Sequence, residues 1–408
     1  MSDTRYTYGP QNDAVDAARL FTRIGVLALA LGVPVAAGLP GNAMAILYAI
    51  AIVLLAVAEL IDPAPGVRRR FQDLRFSAVA AAFLALLAWA ALSVGWTPFP
   101  ALGLRRIGIV LIVGAPAFVT ILAARPHVKS SDLYLFPIGV IVAMLATLAL
   151  VIAALNGAPV SESATTNLAT AVVILAFPAM AALAARGRNG MARALVILAL
   201  VYTRLAGSPA ATAALMVGFA AFSFALSDAP RTARDLGRLA AGLVLLAPLG
   251  PLLAPRLVGW IAHVAIADTP QPGPALGAMD EIIRADPYRL FTGHGIEAAV
   301  RAAKSGVVPA AAPHSLIGEL WYDLGLVGAA ILAFGLWRAF LAIEGAAPRM
   351  QPYLMATLAC VLTLAFTSSG WGEESWLLSL GAAAIAADSA LRGQYRTKAP
   401  LANAQAHF

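Results

Sequence analysis

The sequence predicts an all-α polytopic integral membrane protein with about twelve transmembrane helices and one large external loop. Three observations carry that prediction. Of the 408 residues, 61% are hydrophobic and only 12% are charged, and the mean hydropathy is +0.81. Soluble globular chains carry about 25% charged residues. The apolar residues also fall in runs of about 20, the helical length that crosses a bilayer.

Taken in order, the predicted spans are 23–39, 42–62, 77–95, 104–124, 133–155, 167–185, 194–207, 209–227, 239–255, 315–341, 352–368 and 374–391. Gly207, Ser208 and Pro209 split one long apolar stretch into the seventh and eighth spans, since such residues punctuate helices. The stretch 1–22 is polar, lacks the short apolar core and small-residue cleavage site of a signal peptide, and reads as a retained cytoplasmic tail. The remaining division is 23–255 as helices one to nine, 256–313 as the large loop, 314–391 as helices ten to twelve, and 392–408 as a second tail.

The net charge of +7 could suggest nucleic acid, but the basic residues sit in short clusters between apolar runs. That is the pattern of cytoplasmic loops, so no nucleic-acid partner is expected. Arg68, Arg69, Arg70 and Arg75 share one side with Arg125 and Lys129, with Arg186, Arg188 and Arg193, with Arg231, Arg234 and Arg238, and with Arg349 and the tail residues Arg392, Arg396 and Lys398. Both termini are therefore expected on the cytoplasmic side and the loop 256–313 on the opposite one. The single cysteine, Cys360, lies in an apolar run, so neither a disulfide framework nor a Cys/His metal site is expected.

The cations that fall on the outer side need another reason. They are Arg105 and Arg106, Arg204 near the end of the seventh span, and Arg256, Arg284, Arg289, Arg301 and Lys304. One reason is snorkelling to lipid headgroups; the other is binding an anion, for which the planar guanidinium fork suits phosphate. Arg204 interrupts an apolar helix, and ionisable groups in spans are functional candidates by default. GHG, residues 293–295, could be taken for a phosphate-binding glycine loop, but no strand precedes it and it lacks the dinucleotide fingerprint. Asp280, Glu281 and Asp286 match no standard calcium-loop spacing and read as solvated or paired charges.

PHSLIGELWYDLGLVGA, from Pro313 to Ala329, puts a histidine at the mouth of a span. Read from the residues alone, His314 either orders the loop–helix junction or does chemistry there. Ser315 is itself a good N-cap.

His314, Ser315, nine residues, then Gly325-Leu326-Val327-Gly328 is similar to the signature of the O-antigen ligase and polymerase family of bacterial envelope glycosyltransferases. GHGIEAAVR (293–301) resembles the GWGxEASR stretch that precedes it in many relatives. SVGWTPFPALGLRR (93–106) and GWGEESWLL near the C-terminus resemble outer loops of the family. Glu319 stands where relatives often have Gln, and Asp323 where they often have Glu. Ser208-Pro209 stands where they often have Ser-Arg, with Arg204 one turn earlier. The stretch DTPQPGPALGAMDEI offers no clear match to an arginine that relatives carry early in the loop, a role left to Arg284 or Arg289.

The resemblance implies a GT-C-like architecture with its site at the periplasmic face of the bacterial inner membrane. The donor it implies is an undecaprenyl-diphosphate-linked glycan, and the acceptor a hydroxyl of lipid A-core (ligases) or of a nascent polysaccharide (polymerases). Arg204, Arg284, Arg289 and Arg301 would bind the donor pyrophosphate and stabilise charge as the sugar–phosphate bond breaks. His314 would deprotonate the acceptor for direct, inverting displacement, helped by the positive end of the helix dipole, which disfavours the imidazolium. Arg105, Arg106, His294, Ser315 and Glu319 are candidate substrate contacts, His294 also reading as a packing residue. No cofactor or metal is expected. Ligase is preferred to polymerase, and membrane lipids are the remaining partner. A lipid-linked glycan transporter or flippase is the rival of another class. Repeat-related halves and broken, charged helices at the midplane are its marks; here the unusual charges gather at one face. A structural envelope subunit would leave the outer arginines unexplained.

Overall fold

The structure is a computed structural model that describes residues 10–39, 42–62, 77–123, 132–158, 160–249, 288–304, 315–367 and 374–393. Every regular element among them is helical: α1 (Pro10–Leu27), α2 (Val33–Ala36), α3 (Ala43–Ile61), α4 (Ala78–Ser93), α5 (Pro100–Ala123), α6 (Leu135–Leu155), α7 (Glu162–Ala185), α8 (Asn189–Leu205), α9 (Pro209–Ser227), α10 (Ala229–Leu245), α11 (Arg289–Thr292), α12 (Ala298–Lys304), α13 (Leu316–Ile343), α14 (Gln351–Thr367) and α15 (Glu374–Gly393). A π-helical turn, Ala28–Gly32, joins α1 to α2.

Six helical stretches among the described residues are long and apolar enough to cross a membrane: Asp13–Ala36, Ala43–Ile61, Asp132–Leu155, Ser163–Ala185, Pro209–Ser227 and Leu316–Ile343. Helices also occupy the other six expected segments, wholly or in part, but several are shorter or carry charge. Large apolar side chains such as Ile46, Val53, Phe219 and Phe224 are exposed along these helices, as lipid-facing residues are.

Two helices begin well before the apolar runs that predict them. α1 starts at Pro10, inside the stretch read as a tail, because Ala14, Ala17 and Ala18 favour helix whatever their hydropathy. α10 starts at Ala229, ten residues before the expected span. Asp228 accepts the Arg231 N–H at 3.0 Å and Pro230 sits in the first turn, both helix-start signals. The last six residues of that expected span, 250–255, lie outside the described residues.

The chain divides into two compact units. The first comprises Met1–Asp73, Val113–Ala206 and Ser375–Phe408. Its most buried helix is α7, packed on α6 and α8; a helix apolar on all sides is a buried one. Gly139 on α6 lies against the π-helical turn, where a Cβ would overlap the Ala30 carbonyl. The second unit comprises Leu74–Ile112 and Gly207–Glu374. α13 is its axis, packed against α4, α10, α11, α12 and α14. Within this unit Ala225, Ala233, Ala240, Phe340, Ile343 and Met355 form one apolar cluster.

Candidate functional site

The site grows from a break in α13. Ser315 caps the helix with extended backbone, its hydroxyl accepting the Gly318 N–H at 3.1 Å. Ten residues later Gly325 leaves helical geometry at φ 64°, ψ −162°. A left-handed φ with neighbouring backbone this close admits only glycine, since a Cβ would press on Gly293 N and Phe291 O. A broken helical ladder releases carbonyls that must find other donors. Tyr322 O accepts the His294 N–H at 2.9 Å, Asp323 O the Gly295 N–H at 2.9 Å, and Leu324 O the Trp89 Nε1–H at 2.9 Å.

The segment that docks there is GHGIEAAVR. Its glycines allow the main chain to lie directly on α13; a Cβ on Gly293 would strike the Asp323 carbonyl. Every backbone N–H from 293 to 299 has a protein acceptor: Arg289 O, Tyr322 O, Asp323 O, Ser93 Oγ, Asp323 Oδ2, Gly295 O and Asp323 Oδ1 in turn. The glycines therefore serve docking, and this loop has no free amides with which to cradle a phosphate. That settles the glycine-loop alternative against it.

Glu297 is the one non-glycine residue with positive φ among the described residues, at 70°. Left-handed backbone costs a non-glycine residue about 1–3 kcal/mol. Asp323, 6% exposed, takes the Glu297 and Ala299 amides on its two oxygens at 2.9 and 2.7 Å. Two such bonds contribute about 0.5–1.5 kcal/mol each even to an uncharged acceptor, an amount comparable with the strain. The turn is thus held by its anchor rather than by its own propensity.

Glu297 in turn meets Arg106 of α5, Nε to Oε1 at 2.7 Å, with both side chains about one-tenth exposed. Thr97 completes the frame, donating to Ile296 O at 2.9 Å and accepting the Phe99 N–H at 3.3 Å. Three separate stretches, 93–106, 293–301 and 315–328, thereby meet within one unit.

The cations divide. Arg106 is paired as described. Arg301, on α12 against α13, is half-buried, and its Nε is buried with no hydrogen-bond partner; buried donors are normally paired. Arg289 donates to Gly293 O at 3.5 Å and so braces the loop. Arg105 is exposed, and Arg204 is exposed in the last turn of α8, in the first unit. A cation there also suits the negative end of the helix dipole. His314, Arg256 and Arg284 lie outside the described residues, as do Asp280, Glu281 and Asp286.

His294 stacks on the Tyr322 ring, centroids 4.1 Å apart and planes 11° apart, and its Nδ1 lies 3.2 Å from Tyr322 O. This is packing geometry. Glu319 is buried at 8% exposure, one turn before Asp323. Sequence reasoning did not single out Asp323, Ser93, Thr97 or Glu297 as site residues. The signal for Asp323 was present, an ionisable residue within an apolar run. Nothing in the sequence marks Glu297 as left-handed.

Comparison of the chain with protein-family models gives no match, and comparisons with curated proteins and with solved structures give none either.

Proposed function

We propose that the chain is an inverting, metal-independent glycosyltransferase. It moves a glycan from undecaprenyl diphosphate to an acceptor sugar hydroxyl at the periplasmic face of the bacterial inner membrane. The preferred acceptor is lipid A-core, which makes it an O-antigen ligase; polymerisation onto a nascent polysaccharide is the second reading within the same chemistry. The proposal includes twelve spans, cytoplasmic termini and a periplasmic loop at 256–313.

One observation supports this reading above the others. Three of the stretches that resemble the family's motifs, 93–106, 293–301 and 315–328, meet in one unit, with Arg106 paired to the loop docked on α13 and Arg301 on α12 beside α13, the helix that begins two residues after His314. In this reading the guanidinium of Arg301, with its unpaired buried Nε, offers charge to the pyrophosphate leaving group. His314 takes the proton of the acceptor hydroxyl as its oxygen attacks the anomeric carbon. The carbon–oxygen bond to phosphate breaks on the opposite side, and undecaprenyl diphosphate departs with the electron pair. Arg106 is half-committed to Glu297 and contributes by holding the loop.

The test is transfer by purified protein in lipid, with undecaprenyl-diphosphate-linked glycan and with lipid A-core present or absent. Product that needs lipid A-core is expected, falling about a hundredfold or more in His314→Ala, the usual size of a general-base contribution. Arg301→Ala is expected to fall similarly. Longer carrier-linked chains formed without lipid A-core would make the protein a polymerase. Near-normal transfer by a folded His314→Ala protein would sink the assignment of the base.

A further inference from the structure

We infer that Asp323 is a positioning residue for the cationic face of the loop, an inference that rests on the glycosyltransferase reading. Its carboxyl takes the amides of Glu297 and Ala299 at 2.9 and 2.7 Å. Those two amides bracket the start of α12, the helix that carries Arg301. The same turn fixes the left-handed Glu297 whose carboxylate holds Arg106 at 2.7 Å. One buried side chain on α13 therefore sets the place of both cations, without touching either in any hydrogen bond described here.

The docking of GHG does not depend on that carboxyl. Residues 293–296 are held by the carbonyls of Arg289, Tyr322 and Asp323 and by Ser93 and Thr97. Removing the carboxyl leaves that half of the loop seated and releases the half that leads into α12. Asp323→Asn makes this change with little change of volume: one acceptor oxygen becomes an N–H donor facing another N–H. A residue needed only for packing would be satisfied by the isostere; a residue needed for its two acceptors would not.

The experiment uses the full chain in lipid nanodiscs and three readouts: hydrogen–deuterium exchange of the peptide spanning 293–304, affinity for inorganic pyrophosphate, and transfer kinetics. For Asp323→Asn, exchange is expected to quicken at 297–304 while α9 and α14 stay as in the wild type. Pyrophosphate affinity and kcat/KM are each expected to fall about tenfold or more, the size of loss that small misplacements of binding groups produce. Unchanged exchange overturns the proposal, as does faster exchange with unchanged pyrophosphate affinity and transfer. Wild-type protein that binds pyrophosphate in an Asp323-dependent way but transfers no glycan would overturn the glycosyltransferase reading and leave the positioning role standing. Wild-type protein that neither binds pyrophosphate nor transfers glycan overturns both. If Asp323→Asn does not fold, Asp323→Glu keeps two acceptor oxygens and is read by the same three measurements. Recovery of loop protection together with pyrophosphate binding is expected, and protection without binding overturns the proposal.

Discussion

Arg106 and Glu297 form a buried ion pair, and the value of such a pair lies in its completeness. Taking away one partner strands a charge and costs about 3–5 kcal/mol, whereas removing both costs much less. Arg106→Ala is therefore expected to lower the thermal midpoint in detergent more than the Arg106→Ala/Glu297→Ala double variant does, as followed by size-exclusion recovery after heating. His294 gives a contrasting expectation. Its ring lies on Tyr322 like any stacked aromatic, so His294→Phe should keep the stack and leave transfer within about threefold of wild type, less than one kcal/mol of barrier. A larger loss would mark His294 as a substrate contact after all. At this scale the sequence was partly legible. A carboxylate at 323 in an apolar run invites attention, and in the topology expected from the basic clusters the cations at 106 and 301 fall on the side that orientation alone disfavours. The left-handed conformation of Glu297 is imposed by its partners and has no local signature.

α13 reads as one apolar span in sequence and is one helix interrupted at Gly325 in the structure. The interruption turns carbonyls outward, and the loop answers them with its amides. Gly325→Ala meets both an unfavourable φ and a steric clash with the main chain of Phe291 and Gly293. Its cost is expected to exceed about 1 kcal/mol, seen as a lower thermal midpoint and faster exchange throughout 293–304. Helix starts were the elements least visible to a hydropathy reading. α10 opens on a polar stretch whose Asp228 cap and Pro230 announce a helix, but a search for apolar length passes over them. The span 209–227, by contrast, is bounded by Ser208-Pro209 at one end and Asp228 at the other, and α9 has those same limits. Local capping chemistry fixed these ends where composition alone did not.

Across the molecule, composition revealed the all-helical class, because so much apolar surface has no soluble solution. The topology drawn from the basic clusters awaits labelling. Cys360 is buried, so the wild type should resist a membrane-impermeant maleimide and serve as a blank. In that background Asn156→Cys, in the exposed turn after α6, is expected to react from the periplasmic side. Arg231→Cys, in the exposed first turn of α10, is expected to react only after the membrane is opened. Reaction of both from one side would overturn the twelve-span arrangement. What could not be read from the sequence was that the segment 293–299 lies with its main chain on α13. That is a long-range pairing of main-chain groups, and side-chain types encode it only through a few glycines. It also bears on how the protein can be handled. A soluble peptide cut from 256–313 would keep the amides of 294, 295, 296, 297 and 299 and lose every one of their acceptors. Antibodies raised against such a fragment would meet residues 293–299 without the partners that shape them in the intact protein, and selections for binders to this stretch call for the whole chain in lipid.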